Sequence, residues 1–177
     1  APVSGAGYRF ERLPSQQLLP ARNLGMELPQ DQLEALAREQ GWKVATRRQQ
    51  QWPQADTDVF VIDTLGELLH FYACADVAFV GGSLCRVGGH NVLEPASLGV
   101  PSVVGPHTFN FAQITEDAIA FGVAVRIKDA DDLFAQLSKW LEDTSGLQDT
   151  AARAAQFTQL HRGATEKTLR LLSEVMR

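Results

Sequence analysis

The segment between residues 81 and 95 has the residue types and spacing best suited to holding a ligand. Gly81, Gly82, Gly88 and Gly89 surround a loop that continues into a short apolar run. Glycines permit positive φ angles and leave room for a bulky ligand, and a simple connection rarely needs four of them. We therefore interpret this segment as a functional loop.

Glu94 lies about one turn into the helix that is predicted to follow this loop. From that position a carboxylate can accept hydrogen bonds from both vicinal hydroxyls of a ribose, as acidic residues do in dinucleotide-binding folds. Asn91 either caps the helix or contacts the ligand, and the residue types favour neither role. The chemistry predicted for this loop is recognition of a nucleotide through its sugar.

Two further loops follow predicted strands and carry groups that can hold anions. Residues 63–68 open a predicted helix, where free backbone N–H groups and the helix dipole can bind a phosphate. Ordinary capping by Asp63 or Thr64 is the favoured alternative for these residues. Residues 105–111 contain His107, which could donate to a phosphate or sugar oxygen, although a lone loop histidine is more often a polar surface residue.

Several other kinds of site are excluded by spacing and charge. The position two after Ser83 is Cys85, so the G-x-S-x-G nucleophile elbow is absent, and the loop contains neither GxGxxG nor GxxxxGK(S/T). The four histidines lack metal-ligand spacing, so we predict no metal site and no cofactor. A net charge of -5 shows no basic excess, which argues against nucleic acid as a partner.

Alternating helices and strands must position these loops. Helices are predicted from residue 29 to the stop at Gly41, then from the Asp63 or Thr64 cap to about residue 73, and over 92–98, 111–121 and from 131 onward. Strands are predicted over 42–46, 59–62, 77–80, 102–104 and 123–127. Continuous apolar strands between helices indicate a parallel sheet covered on both faces, so the fold class is α/β. Ligands bind such sheets outside the carboxyl ends of the strands.

Composition predicts one soluble domain. With 177 residues and 45% hydrophobic content, the chain can bury one ordinary core. We expect residues 1–28 to be irregular or incomplete and residues 29–177 to form the domain. No apolar stretch approaches a membrane span, and no signal peptide is recognisable. The two cysteines form no CxxC pair, which fits a reduced cytosolic setting, and Cys74 is expected to be a small buried hydrophobe.

Together the three loops resemble the C-terminal domain of the Kdo (3-deoxy-D-manno-octulosonic acid) transferases of lipopolysaccharide synthesis. The matching segments are Asp-Thr-Leu-Gly-Glu-Leu (63–68), Phe-Val-Gly-Gly-Ser-Leu through Gly-Gly-His-Asn-Val-Leu-Glu-Pro (79–95) and Gly-Pro-His-Thr-Phe-Asn-Phe (105–111). Their order and spacing match as well, and the similarity runs from about Glu34 to the C-terminus. The Gly-Gly-His-Asn-x-Leu-Glu block is specific to this family, whereas Glu94 followed by small residues and Gly99-x-Pro101 occurs in many GT-B glycosyltransferases.

This resemblance implies one half of a GT-B enzyme, a Rossmann-like domain that binds CMP-Kdo. A separate N-terminal domain would meet lipid A at the cytoplasmic face of the bacterial inner membrane, so membrane association belongs to the full-length protein. That domain supplies the general base, a carboxylate, so we expect no catalytic residue here and a chain that is inactive alone. No bound metal is expected, because helix N-termini would accept the charge of the departing nucleotide.

The resemblance also assigns binding residues by position. The residues carried over to the CMP site are Leu65, Gly66, Glu67, Asn91, Val92, Leu93 and Glu94. The predicted substrate-binding set is completed by Gly88, Gly89, His90 and His107. One departure concerns donor binding: the family has a basic Arg-His-Pro-x-Arg-Phe loop before the helix at Pro29, and this sequence reads Arg-Asn-Leu-Gly-Met-Glu-Leu at 22–28.

Two alternatives remain open at this stage. The same fold could use a UDP-sugar, as other glycosyltransferases and sugar-nucleotide epimerases do. It could also serve as a non-catalytic binding module, an interpretation that the altered basic loop favours. A preference for UDP over CMP would favour the UDP-sugar alternative over a CMP-Kdo site. Absence of an acceptor domain from the full-length protein would favour the non-catalytic module over an enzyme.

Overall fold

The structure is a computed structural model that describes residues 30–49, 52–161 and 172–174. Its contacts divide the chain between Phe71 and Tyr72 into two compact units, and each is presented by itself. The segment predicted to be irregular, 1–28, and the departing loop at 22–28 lie outside the described residues. The single domain predicted over 29–177 stays a prediction.

Between residues 30 and 61, the described part of the first unit contains one helix followed by a pair of parallel strands. Its elements are α1 (Gln30–Glu39), β1 (Val44–Thr46) and β2 (Val59–Val61). Val44 is paired with Val59 and Thr46 with Val61. The helix stops where Gly41 adopts a φ of 83°, a left-handed conformation that glycine tolerates without the steric cost of a Cβ atom.

The second unit is built on a three-stranded parallel sheet in the order β3-β4-β5. A short helix, α2 (Leu68–Tyr72), lies across the boundary between the units. The elements that follow are β3 (Ala78–Phe79), α3 (Leu93–Ala96), β4 (Ser102–Val104), a 3-10 turn (Phe109–Phe111), α4 (Ala112–Ala120), β5 (Ala124–Arg126), α5 (Ala130–Glu142) and α6 (Thr144–Leu160). A helix follows each of these strands, as expected for parallel strands joined by crossovers.

The central strand β4 shows that helices cover both faces of this sheet. Val103 and Val104 are completely buried, and adjacent residues of a strand point to opposite faces. Val104 belongs to a cluster with Ala118 of α4 and Phe157 of α6, whereas Val103 packs with Trp140 of α5. The continuous apolar run at 102–104 is therefore explained by burial on both sides.

Aspartates begin the two C-terminal helices. The Asp129 carboxylate accepts a hydrogen bond from the Asp132 N–H at 2.9 Å, and the Asp143 carboxylate accepts one from the Gly146 N–H at 3.0 Å. These bonds satisfy backbone donors that the first helical turn leaves without partners. As far as residue 161, the predicted helical remainder thus consists of two helices that meet at Asp143.

Three local predictions are wrong. Helix α2 begins at Leu68 rather than at the Asp63 or Thr64 cap, because Gly66 takes a φ of 84° and interrupts the helical backbone. Helix α3 is shorter than the predicted 92–98. Cys74 is exposed in a turn after α2 instead of buried. Among the described residues, no helix is long and apolar enough to cross a membrane.

Candidate functional site

In the first unit, the turn at residues 64–66 offers backbone donors to solvent. Leu65 is fully exposed, and a Cβ atom placed on Gly66 would meet nothing within 4 Å. Within the part of the chain that the structure describes, the N–H groups of Leu65 and Gly66 donate no hydrogen bond. Free N–H groups in an open turn can receive an anion, as predicted for this loop.

Next to this turn, the Glu67 carboxylate is held by an arginine that sequence reasoning missed. Arg47 donates to both carboxylate oxygens, at 3.0 and 2.9 Å, and the Thr64 hydroxyl donates to one of them. The same guanidinium lies 4.6 Å from the centre of the Trp52 ring, a cation–π arrangement. The Glu67 carboxylate is thus bound within the protein, and its carbonyl accepts from the His70 N–H at 3.0 Å, so contact between Glu67 and a ligand stays a prediction.

We expect the contribution of this ion pair to stability to depend on pH. The hydrogen bond from Arg47, and secondarily the one from Thr64, lowers the pKa of Glu67 below its ordinary value of 4.5. A depressed folded-state pKa stabilises the protein above pH 4.5, and this stabilisation is lost as the pH falls through the lowered value. Urea unfolding should therefore show a larger difference between wild type and Arg47→Ala at neutral pH than in acid.

The matched control for this prediction is the Glu67→Gln background, in which position 67 cannot titrate. There the effect of Arg47→Ala should lose its pH dependence. An Arg47→Ala effect that stays constant with pH in the wild-type background would contradict the ion-pair interpretation.

In the second unit, the loop after β3 depends on glycines for its path. Gly82, Gly88 and Gly89 have φ angles of 68°, 104° and 71°. A Cβ atom on Gly88 would approach Phe109 and Asn110 to 2.5 and 2.6 Å, so the loop after β4 packs directly on this glycine. The loop therefore contains three glycines in the left-handed conformation, as their residue type predicts, and its ligand-binding role stays a prediction.

Ser83 ties this loop to the loop after β4. Its buried hydroxyl donates to the Val80 carbonyl at 2.5 Å and accepts from the Gly105 N–H at 2.8 Å. Its carbonyl accepts from the N–H of His107 at 2.9 Å. The hydroxyl is fully used inside the protein, so Ser83 acts as a structural bridge between the carboxyl ends of neighbouring strands.

Arg126, at the end of β5, supports the loop after β4 from the other side. Its guanidinium donates to the Gly105 carbonyl at 3.0 Å and to the Thr108 hydroxyl at 3.3 Å, and it pairs with Glu116 at 2.5 Å. The sequence contains no signal for this role, because the partners lie ten to 21 residues away.

Just before α3, the Asn91 side-chain oxygen accepts a hydrogen bond from the Leu93 N–H at 3.0 Å. The N-cap position is held by Val92, and no side chain forms a cap hydrogen bond there, so Asn91 is not the helix cap and its contact with a ligand stays a prediction. Glu94 is half-buried one turn along, with its carboxylate 3.5 Å from the Asn91 amide nitrogen. The short helix therefore leaves a carboxylate with few partners at the carboxyl edge of the sheet.

Tyr72 is a second neighbour that sequence reasoning did not identify. Burial raises the pKa of its phenol, and the negative charge of Glu94 raises it further. The phenol of Tyr72 thus lies within electrostatic range of the predicted ribose-binding carboxylate.

The remaining predicted binding residues differ in how far their side chains are exposed. The Val92 side chain is 1% exposed inside the core, and Leu93 packs against the same cluster while its N–H donates to Asn91, so their predicted contact with a ligand stays a prediction. His90 is exposed and His107 half-buried, and His107 lies beside Gly89, whose Cβ position is 3.3 Å from the His107 carbonyl oxygen. Within residues 30–49, 52–161 and 172–174, no group of three acidic, histidine or cysteine side chains could hold a metal ion.

Two relatives of similar sequence are transferases of the same name. The chain is 43% identical over 122 residues to the 3-deoxy-D-manno-octulosonic acid transferase of Bordetella pertussis, covering 69% of this chain and 28% of that protein. It is 30% identical over 138 residues to the transferase of the same description in Haemophilus influenzae, covering 77% of this chain and 32% of that one. The chain thus spans about a third or less of these relatives. No protein-family model matches it.

A solved structure supports the same relationship. The crystal structure of the C-terminal CMP-Kdo binding domain of WaaA from Acinetobacter baumannii superposes with a TM-score of 0.69 at 34% sequence identity, covering 73% of this chain and 67% of that one. This match confirms the predicted class, a Rossmann-like α/β domain of the GT-B glycosyltransferase type. The chain belongs to the 3-deoxy-D-manno-octulosonic acid transferase family, as the three loops predicted.

Proposed function

We propose that this chain is the donor-binding part of a glycosyltransferase that transfers Kdo from CMP-Kdo to lipid A in lipopolysaccharide biosynthesis. The observation that carries the proposal is the structural match to a CMP-Kdo binding domain over 73% of the chain. The full-length protein would act at the cytoplasmic face of the bacterial inner membrane, where a separate acceptor domain holds the lipid and supplies the general base.

The geometry of the second unit supports the sugar-binding part of this proposal. Glu94 is half-buried, and within the part of the chain that the structure describes its only side-chain hydrogen-bonding neighbour is Asn91, at 3.5 Å. A ribose offers two adjacent hydroxyl donors, which a carboxylate accepts together. The Gly88–Gly89 turn is buried, with Phe109 and Asn110 packed on Gly88, and its contact with the ligand is proposed from the family resemblance alone.

Backbone N–H groups would donate hydrogen bonds to the phosphate of the nucleotide. Transfer breaks the bond between the anomeric carbon of Kdo and the phosphate oxygen, and negative charge then accumulates on the departing CMP. The N–H groups of Leu65 and Gly66 have no partner among the described residues and can stabilise such charge. The proposed donor contacts are completed by Glu67, His90, Asn91, Val92, Leu93 and His107.

Calorimetric titration of the 177-residue chain with CMP tests the proposal. We expect binding of CMP, weaker binding of UMP and UDP, and no transfer of Kdo by the chain alone. Preference for UDP or a UDP-sugar would support the alternative donor. Absence of binding to any of these nucleotides in folded protein would contradict a donor-binding role and favour a non-catalytic module.

A further inference from the structure

Asn110, a residue outside the predicted site, holds two consecutive carbonyls of the glycine loop. Its backbone N–H donates to the Gly88 carbonyl at 3.1 Å, and its side-chain amide donates to the Val87 carbonyl at 3.0 Å. One residue of the loop after β4 therefore fixes the loop after β3 at two neighbouring carbonyls. The side-chain bond joins residues that are 23 positions apart in sequence.

The turn that Asn110 holds has little support of its own. Gly88 and Gly89 have φ angles of 104° and 71°, and glycine has many other conformations available. On the far side, the Gly89 N–H donates to the Gly82 carbonyl at 3.1 Å. Contacts from other residues must therefore stabilise the observed conformation of the Gly88–Gly89 turn. The hydrogen bonds of Asn110 are made directly to this turn and to the residue before it.

The loop that carries Asn110 is itself firmly anchored. Ser83 binds both the Gly105 and His107 N–H groups, and the Arg126 guanidinium binds the Gly105 carbonyl. A hydrogen-bond donor on an anchored loop can fix the position of a less constrained loop. A donor on an unanchored loop would move together with the loop that it binds.

From this geometry we propose that Asn110 is a positioning residue, which holds the Gly88–Gly89 turn where residues 91–94 can meet the nucleotide. The proposal rests on the donor-binding function described above and extends it to a residue that need not touch the ligand. Asn91 is two residues beyond Gly89, so the path of the turn determines where Asn91 and Glu94 begin. Because Asn110 is exposed, removing its amide leaves no cavity, and the main effect should fall on binding.

The test compares Asn110→Ala with wild type in the full 177-residue chain. Calorimetry should show CMP affinity reduced about three- to ten-fold, because losing the neutral hydrogen bond to Val87 lets the turn leave its binding-competent position, and Tm should decrease only slightly. In ligand-free protein, the Gly88 and Gly89 amide signals should shift in 1H–15N NMR spectra. Asn110→Ser, whose shorter side chain cannot reach the Val87 carbonyl, should behave in the same way and provides a second variant if alanine disturbs folding.

Gln113→Ala is the matched control, because Gln113 is also exposed and its amide donates at 2.9 Å to Asp117 within α4. This variant should retain the wild-type affinity and the wild-type Gly88 and Gly89 signals. Unchanged affinity in both Asn110 variants would overturn the positioning role alone. Reduced affinity with unmoved glycine signals would also overturn it, because that result indicates direct ligand contact. If wild type binds no CMP, the proposed function fails first, and the inference that rests on it fails too.

Discussion

Replacing Glu94 with alanine is expected to weaken CMP binding by about 10- to 150-fold, equivalent to about 1.5–3 kcal/mol. A carboxylate that accepts hydrogen bonds from both ribose hydroxyls makes charge-assisted bonds, which are stronger than neutral ones. In the structure this carboxylate is half-buried, and among the described residues its one side-chain hydrogen-bonding neighbour is Asn91, at 3.5 Å. Removing it should therefore cost binding energy without disrupting an internal network. Calorimetry on the variant and on wild type measures the difference.

Two companion variants make the Glu94 experiment specific. Glu94→Gln keeps the shape and one acceptor but removes the charge, so its affinity should fall between those of wild type and alanine. Glu142→Ala removes an exposed carboxylate at the end of α5 and should leave binding unchanged. Equal CMP affinity in wild type and Glu94→Ala would reject the assigned ribose contact, even if the wild-type chain binds the nucleotide.

The elements of the second unit could be predicted from sequence because their signals are local. The apolar run at 102–104 indicates a buried strand in any context, and alternation of such runs with helices indicates a parallel sheet. The glycine spacing at 81–89 likewise marks a loop that requires left-handed backbone, since Gly82, Gly88 and Gly89 do adopt positive φ. Strand existence and loop position therefore followed from short stretches of sequence.

The contacts that shape the candidate site could not be predicted in the same way. Glu67 is paired with Arg47 across 20 residues, and Gly105 with Ser83 across 22. Single-sequence patterns contain no information about which distant groups meet. The same limit explains the misplaced start of α2: Asp63 and Thr64 are good capping residues, but Asp63 accepts a hydrogen bond from the Arg48 N–H at 2.6 Å instead.

These long-range contacts also change what each acidic site residue is expected to contribute to nucleotide binding. Family position alone treats Glu67 and Glu94 as similar acidic ligands. The structure separates them, because Arg47 and Thr64 occupy the Glu67 carboxylate, whereas Glu94 has no ion-pair partner among the described residues. We therefore expect the loss of Glu94 to act on nucleotide affinity and the loss of the Glu67 carboxylate to act mainly on the local turn.

Substituting Gly105 with alanine is expected to destabilise the protein by about 3 kcal/mol, towards the upper end of the cost of overpacking. A Cβ atom there would run into the Ser83 carbonyl group, with the Ser83 carbon at 2.5 Å and the Leu84 nitrogen at 2.7 Å. These obstacles are backbone atoms, so relief requires the two loops to separate and lose the Gly105 N–H bond to Ser83.

Gly81→Ala provides the matched control for Gly105→Ala, since both glycines follow strands and lie outside the left-handed region. Nothing lies within 4 Å of a Cβ atom at Gly81, so its substitution should change the free energy of unfolding by no more than about 0.5–1 kcal/mol. Urea unfolding of both variants gives this comparison. Similar stabilities for the two variants would show that the loops are held less tightly than the Ser83 bridge implies. A large difference would show that close approach of the two backbones, rather than glycine flexibility, requires glycine at position 105.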